Sequence, residues 1–318
     1  MSRNALGGAF DPHDLRDHLS LIDAMGVIPP GDLFDFLMRV RTAELSSLER
    51  EPIWQDMVAS TQAEMAAFLH LTAGEAHDLA VSHVRAMLGE NLIWPTYISA
   101  YLSRPEVFRP QIRVWGQESL DGALRSGRGA VLAQCHWGAF QMLLPALLIH
   151  GYSVFQFFGD AEAAAWASDV IRDRNPGLFS HMETLVVPDP AVARRSLQTI
   201  DRGFLVAIPP EISEGTTKPK LHTEFLGVEV YAPEGPAFLA ATARVPLIPV
   251  RVQAEGPTLH CYLGEPIEVT KSRSGIQEAV QRCFRDLEKA VRTTPHQWRG
   301  WGFLRDMCVA ATVGEVKR

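Results

Sequence analysis

Residues 129–144 read GAVLAQCHWGAFQMLL and divide into two halves of different period. Ala130-Val131-Leu132-Ala133 is a short apolar run after the Gly127-Arg128-Gly129 turn, the pattern of a strand buried on both faces. From Gly138 to His150 the apolar residues fall at helical intervals and close on Gly151, which predicts a helix. His136 is thereby expected at the carboxyl end of a strand, on the turn into a helix. In open α/β sheets that crevice is where ligands bind. Position alone leaves two readings open: a catalytic base beside an incoming helix, or a satisfied turn residue with no chemistry.

Outward from this stretch the chain alternates. Strands are predicted at 112–115, 130–133, 153–157, 184–187, 204–208, 247–253 and 258–263, with helical windows near 118–125, 138–150, 161–173, 190–201, 235–244 and 275–293. Such alternation gives a largely parallel sheet with helices on both faces. The short Glu255-Gly256-Pro257 link between the last two strands predicts an antiparallel hairpin at the sheet edge. Before residue 106 helices are expected at 32–40, 55–71 and 75–88, and Trp94, Tyr97 and Tyr101 follow at helical spacing as a core stripe. The expected fold class is α/β: a central mostly parallel sheet flanked by helices, with a helical N-terminal section at 1–105 and an α/β domain at 106–318. The tail from Gly300 onward reads as irregular.

Composition excludes several classes. Hydrophobic residues make up 47% and charged residues 21% of the 318, which are globular proportions and argue against disorder. A net charge of −7 argues against a nucleic-acid partner, which would demand concentrated positive charge. The four cysteines are too few and too scattered for a disulfide framework. His70, His77 and His83 are spaced so that they do not share one helix face, no carboxylate-histidine signature accompanies them, and no metal site is expected. The opening MSRNALGGAFDPHD lacks a basic flank followed by an apolar run, and no window reaches the roughly 18 apolar residues of a membrane span. These features predict a reduced, cytoplasmic protein whose contact with the inner membrane is at most peripheral. The 32–40 helix is amphipathic, but its acidic residues oppose adsorption to anionic lipid. No Gly-x-Ser-x-Gly elbow, Walker loop or dinucleotide fingerprint is present to suggest a rival enzyme class.

Three segments then occur in a significant order. Arg125-Ser126-Gly127-Arg128-Gly129 leads into His136-Trp137-Gly138-Ala139-Phe140-Gln141; Arg194 through Ile208 is followed by Pro209-Pro210-Glu211; and Glu224-Phe225-Leu226-Gly227 precedes Pro233-Glu234-Gly235-Pro236-Ala237 and Pro246-Leu247-Ile248-Pro249-Val250. Together they resemble the late lipid A acyltransferases and the related phosphatidylinositol mannoside acyltransferases of the glycerolipid acyltransferase superfamily. The resemblance covers roughly residues 106–300. Its signature is a histidine followed, after four intervening residues, by a carboxylate. The histidine acts as general base on an acceptor hydroxyl that attacks an acyl thioester, and the carboxylate fixes the imidazole.

His136 matches that base, and the carboxylate position holds Gln141. An amide orients a ring but carries no charge to offset the imidazolium; in serine proteases the same exchange lowers turnover about 10⁴-fold. Three explanations stay open: a carboxylate from another segment, with Glu211 or Glu214 the candidates; an amine, thiol or other strongly nucleophilic acceptor; or lost activity. The resemblance implies donor contacts as well. Arg172 and Arg174 are expected to hold a phosphate of donor or acceptor, with solvated helix charges the alternative. Backbone amides at Trp137, Gly138 and Ala139 are expected to stabilise the oxyanion, and Phe155, Phe157, Phe158 and Phe225 to line an acyl groove. Cys135 reads as buried and inert, because successive residues of a strand face opposite ways. No role is expected for Arg299 or Arg305.

The function implied is acyl transfer from a coenzyme A or acyl-carrier-protein thioester to a small-molecule or lipid acceptor bearing a hydroxyl, amine or thiol. No bound cofactor is expected, since the thioester is a substrate. An acyl-thioester hydrolase and a non-catalytic acyl-ligand binding protein of the same fold are the alternatives.

Overall fold

The computed structural model describes residues 24–159, 161–211 and 221–309. Four helices open it: α1 (Pro30–Leu48), α2 (Pro52–Leu69), α3 (Ala73–Leu88) and α4 (Glu90–Ser99). Proline occupies the first turn of α1 and α2, where a missing N–H costs nothing, and α3 starts on a capping box between Thr72 and Glu75.

The alternating part follows: β1 (Ile112–Trp115), α5 (Gln117–Leu124), β2 (Ala130–Gly138), α6 (Leu143–Ile149), β3 (Val154–Phe158), α7 (Ala161–Arg174), β4 (Met182–Val186), α8 (Val192–Asp201) and β5 (Leu205–Ile208). A hairpin of β6 (Leu221–Phe225) and β7 (Val228–Ala232) leads to α9 (Gly235–Ala243), β8 (Leu247–Glu255), β9 (Thr258–Leu263) and α10 (Arg273–Thr293). Seven strands form one sheet in the order β1-β9-β8-β2-β5-β3-β4. Among the described residues the antiparallel pairing between strands of that sheet is β8 with β9, and the other pairings are parallel. The protein is therefore α/β, with a mostly parallel central sheet, flanking helices and further helices at the N-terminal end. Among the described residues no helix is long and apolar enough to cross a membrane.

The pleat of β2 divides the core. Ala130 and Leu132 belong to one hydrophobic cluster, together with α6 and with Leu33, Phe34 and Leu37 of α1. Val131, Ala133, Cys135 and Trp137 belong to the other, together with α9 and α10. The helix after β2 thus covers one face of the sheet, while the β6–β7 hairpin and α9, which follow β5 in the chain, lie on the opposite face. β2 and β5 are hydrogen-bonded neighbours. Chains that leave adjacent parallel strands toward opposite faces open a crevice between them at the strands' carboxyl ends.

Four expectations are revised. β2 continues to Gly138, so His136 lies within the strand, and the helix predicted from 138 begins only at Leu143. Pro145 explains the delay: it is tolerated in the first turn of a helix but would lack a donor and clash in the interior of one starting at Gly138. The β8–β9 hairpin is not at the edge, because β1 adds beyond β9. The β6–β7 hairpin was not expected, although both strands alternate buried and exposed residues and turn at Leu226-Gly227, where both φ angles are positive, 53° and 81°. The tail, read as irregular, forms short helical turns at Arg299–Gly302 and Leu304–Met307 that bury Trp301.

Candidate active site

The carboxyl ends of β2 and β5 bring His136 and Glu211 together. Ile208 ends β5, and Pro209-Pro210, which cannot donate to a ladder, carry the chain out to Glu211. Glu211 is 2% exposed. Its Oε1 lies 3.2 Å from His136 Nδ1 and also accepts the His136 backbone N–H at 2.5 Å. One carboxylate oxygen therefore fixes both the main chain and the ring of the same residue. With Nδ1 donating to the carboxylate, Nε2 carries the lone pair, and among the described residues nothing bonds to it. Phe140 and Phe303 flank the imidazole, with centroids 4.5 and 6.4 Å from its own. The side chain stays partly open, at 19% exposure. Glu211 Oε2 is shielded and has no partner among the described residues. Glu214 lies outside the described residues.

Gln141 is not on the ring. Its Oε1 takes a long 3.4 Å contact from Arg299 Nη2, which also donates to the Gly138 carbonyl at 3.2 Å. The expectation was that Gln141 orients His136 or helps position the acceptor; the first part is corrected, since Glu211 contacts Nδ1 and the amide faces a guanidinium.

The remaining expected residues divide. Trp137 is buried in the second core cluster and bridges to Trp298. Gly138 has φ +52°, and a Cβ there would stand 2.5 Å from the Val252 carbonyl oxygen. The Ala139 N–H donates to that same Val252 oxygen, so of the three amides expected at the oxyanion this one is already committed. Arg172 and Arg174 end α7, and the chain next reaches His181, whose carbonyl accepts the N–H of Val154 at the amino end of β3. They therefore sit at the end of the sheet opposite His136. Arg172 pairs with Asp169 at 2.8 Å and stacks on Phe179. Phe155 and Phe225 are completely buried in the second cluster, Phe225 against Phe284 and Trp298, so they fill core and do not line a groove. Phe157 packs against that same cluster and touches Phe155.

Cys135 points away from His136 into the second cluster, with Sγ 3.4 Å from the Val250 carbonyl. Burial pushes its thiol well above the ordinary range, which removes the thiolate a nucleophile needs. Of the three histidines weighed for metal, His83 is buried, not solvated. Its Nδ1 contacts the His296 carbonyl at 2.9 Å, and burial pulls its pKa down to about 4.

Sequence reading gave Arg299 no role, yet the structure sets it beside Gly138 and Gln141. It is 161 residues from Gly138 in the chain, and no local pattern links the two. No protein-family model matches this chain, and no curated protein matches it.

Proposed function

We propose that this chain is an acyltransferase of the glycerolipid acyltransferase type, using His136 as general base. The observation that carries the reading is the contact of a buried carboxylate, Glu211, with Nδ1 of a partly exposed imidazole at the carboxyl ends of β2 and β5. An acceptor hydroxyl, amine or thiol gives its proton to Nε2 while its heteroatom attacks the carbonyl carbon of a coenzyme A or carrier-protein thioester. The tetrahedral adduct collapses, the C–S bond breaks, and the departing sulfur takes the proton back from the imidazolium. Glu211 holds the ring in the required tautomer and offsets its transient positive charge, as the aspartate of a serine-protease triad does. A carboxylate in this place supports the first explanation for Gln141: the charge missing after His136 is supplied by another segment.

The test incubates the full chain with acyl-coenzyme A and acyl-carrier-protein donors of several lengths and a panel of alcohol, amine and thiol acceptors, and follows products by mass. Acyl-dependent product is expected. His136→Ala should abolish it, and Glu211→Gln should lower it roughly 10³- to 10⁴-fold, on the scale of the protease exchange. Full activity in the histidine variant overturns the mechanism. Free fatty acid released without any acceptor assigns the same dyad to thioester hydrolysis.

A further inference from the structure

Arg299 is a cation held among neutral groups beside the dyad. Its guanidinium carbon lies 4.9 Å from the centre of the Phe140 ring, the same ring that contacts His136. Among the described residues Nη2 reaches the Gly138 carbonyl and the Gln141 amide oxygen, and Nε is shielded with no partner. No carboxylate among the described residues pairs with it. Its other ionisable neighbour is His83, which is buried and neutral at pH 7. Burial draws Arg299 down only to about 10, so it keeps its charge. A partly buried charge without a counter-ion carries a cost, and an anion brought beside it recovers part of that cost.

Gln141 gains a meaning from this. A carboxylate at that position would stand 3.4 Å from the guanidinium and neutralise it, whereas an amide orients the guanidinium and leaves its charge available. We infer that Arg299, aligned by Gln141, forms an anion-binding site next to His136 that takes a carboxylate or phosphate group of the substrate.

The inference rests on the same cleft as the acyl-transfer reading, but it is read by binding and not by turnover. Calorimetric titration of the full chain with inorganic phosphate, octanoate and the neutral isostere octanamide provides the probes. Wild type is expected to bind at least one anion and to prefer octanoate to octanamide if the anion is a carboxylate. Arg299→Gln should weaken that anion about tenfold or more, the scale of one charge-assisted hydrogen bond. Arg299→Lys, which keeps the charge, should retain part of the affinity. Gln141→Glu, a change at an exposed position, should weaken the anion as Arg299→Gln does and leave octanamide unaffected. Loss of phosphate binding alone identifies a phosphate-bearing substrate, and loss of octanoate binding alone a carboxylate. The inference is overturned by wild type that binds neither anion, by an Arg299→Gln variant of unchanged affinity, or by a Gln141→Glu variant that binds as tightly as wild type. A chain that binds anions through Arg299 yet transfers no acyl group overturns the acyl-transfer reading alone.

Discussion

At the scale of single residues, the contact between Glu211 and His136 shows how a site assembles from groups 75 residues apart in the chain. His136 was legible because an apolar run followed by a break places it at a strand end. Glu211 was legible as a candidate because it follows a second strand of the same type. That it supplies the contact to Nδ1, and that Gln141 turns to Arg299, depends on side-chain directions that spacing does not encode. His83 makes a prediction of its own. Its folded pKa, about 4, lies below the ordinary 6.5, chiefly through burial and against the opposing hydrogen bond to His296. The unfolded chain therefore binds the proton more readily. Stability from this group is complete above pH 6.5 and is lost as pH falls toward 4, a loss on the order of 3 kcal/mol. Urea unfolding of wild type and His83→Gln at pH 7 and pH 4.5 should show a steeper acid loss in wild type; parallel profiles would refute it.

At the scale of elements, β2 determines where the site lies. Its register against β8 shifts between Gln134 and Gly138, and the strand ends on a glycine with positive φ packed against the Val252 carbonyl. Gly138→Ala combines left-handed strain with a close approach to backbone and should destabilise by at least about 2 kcal/mol, seen as a lower urea midpoint. Because Gly138 is two residues beyond His136, the same variant should lose acyl transfer even where it remains folded. The strands of this sheet were readable as apolar runs: β1 and β9 match the expected bounds, β3, β4, β5 and β8 extend or shift by only a residue or two, and β2 alone runs well past its expected end. The β6–β7 hairpin carried a readable signal, alternation around a Leu-Gly turn, but its short polar-faced strands lie outside the main sheet and resemble a connecting loop in composition.

At the scale of the whole molecule, the first helix and the sheet share one hydrophobic cluster. Leu33, Phe34 and Leu37 belong to the same cluster as Leu132 and Ile248. Phe34 is 7% exposed and meets Tyr97 at 5.4 Å and Trp94 at 5.7 Å. Phe34→Ala should cost about 3–5 kcal/mol. It should also shift the unfolding of the sheet, so that tryptophan fluorescence and far-ultraviolet circular dichroism still report one transition. Two separated transitions would show instead that the helical section folds by itself. The tail is bound in the same way: Trp298 and Trp301 stack edge to face at 5.2 Å and complete the second cluster. That packing brings the segment carrying Arg299 and Phe303 to the rim of the His136 crevice.

What the amino-acid order determined alone was local. Period-two and period-3.6 patterns, glycine and proline punctuation and the apolar runs specify which segments become strands or helices, because those preferences act over a few residues. Only the tertiary structure decided which strands are neighbours, which face of β2 each side chain takes, and which charges meet. Those outcomes depend on burying two apolar faces of one sheet at once, a condition imposed by the whole chain, and it is that condition which sets a carboxylate against His136 and, among the described residues, leaves Arg299 without one.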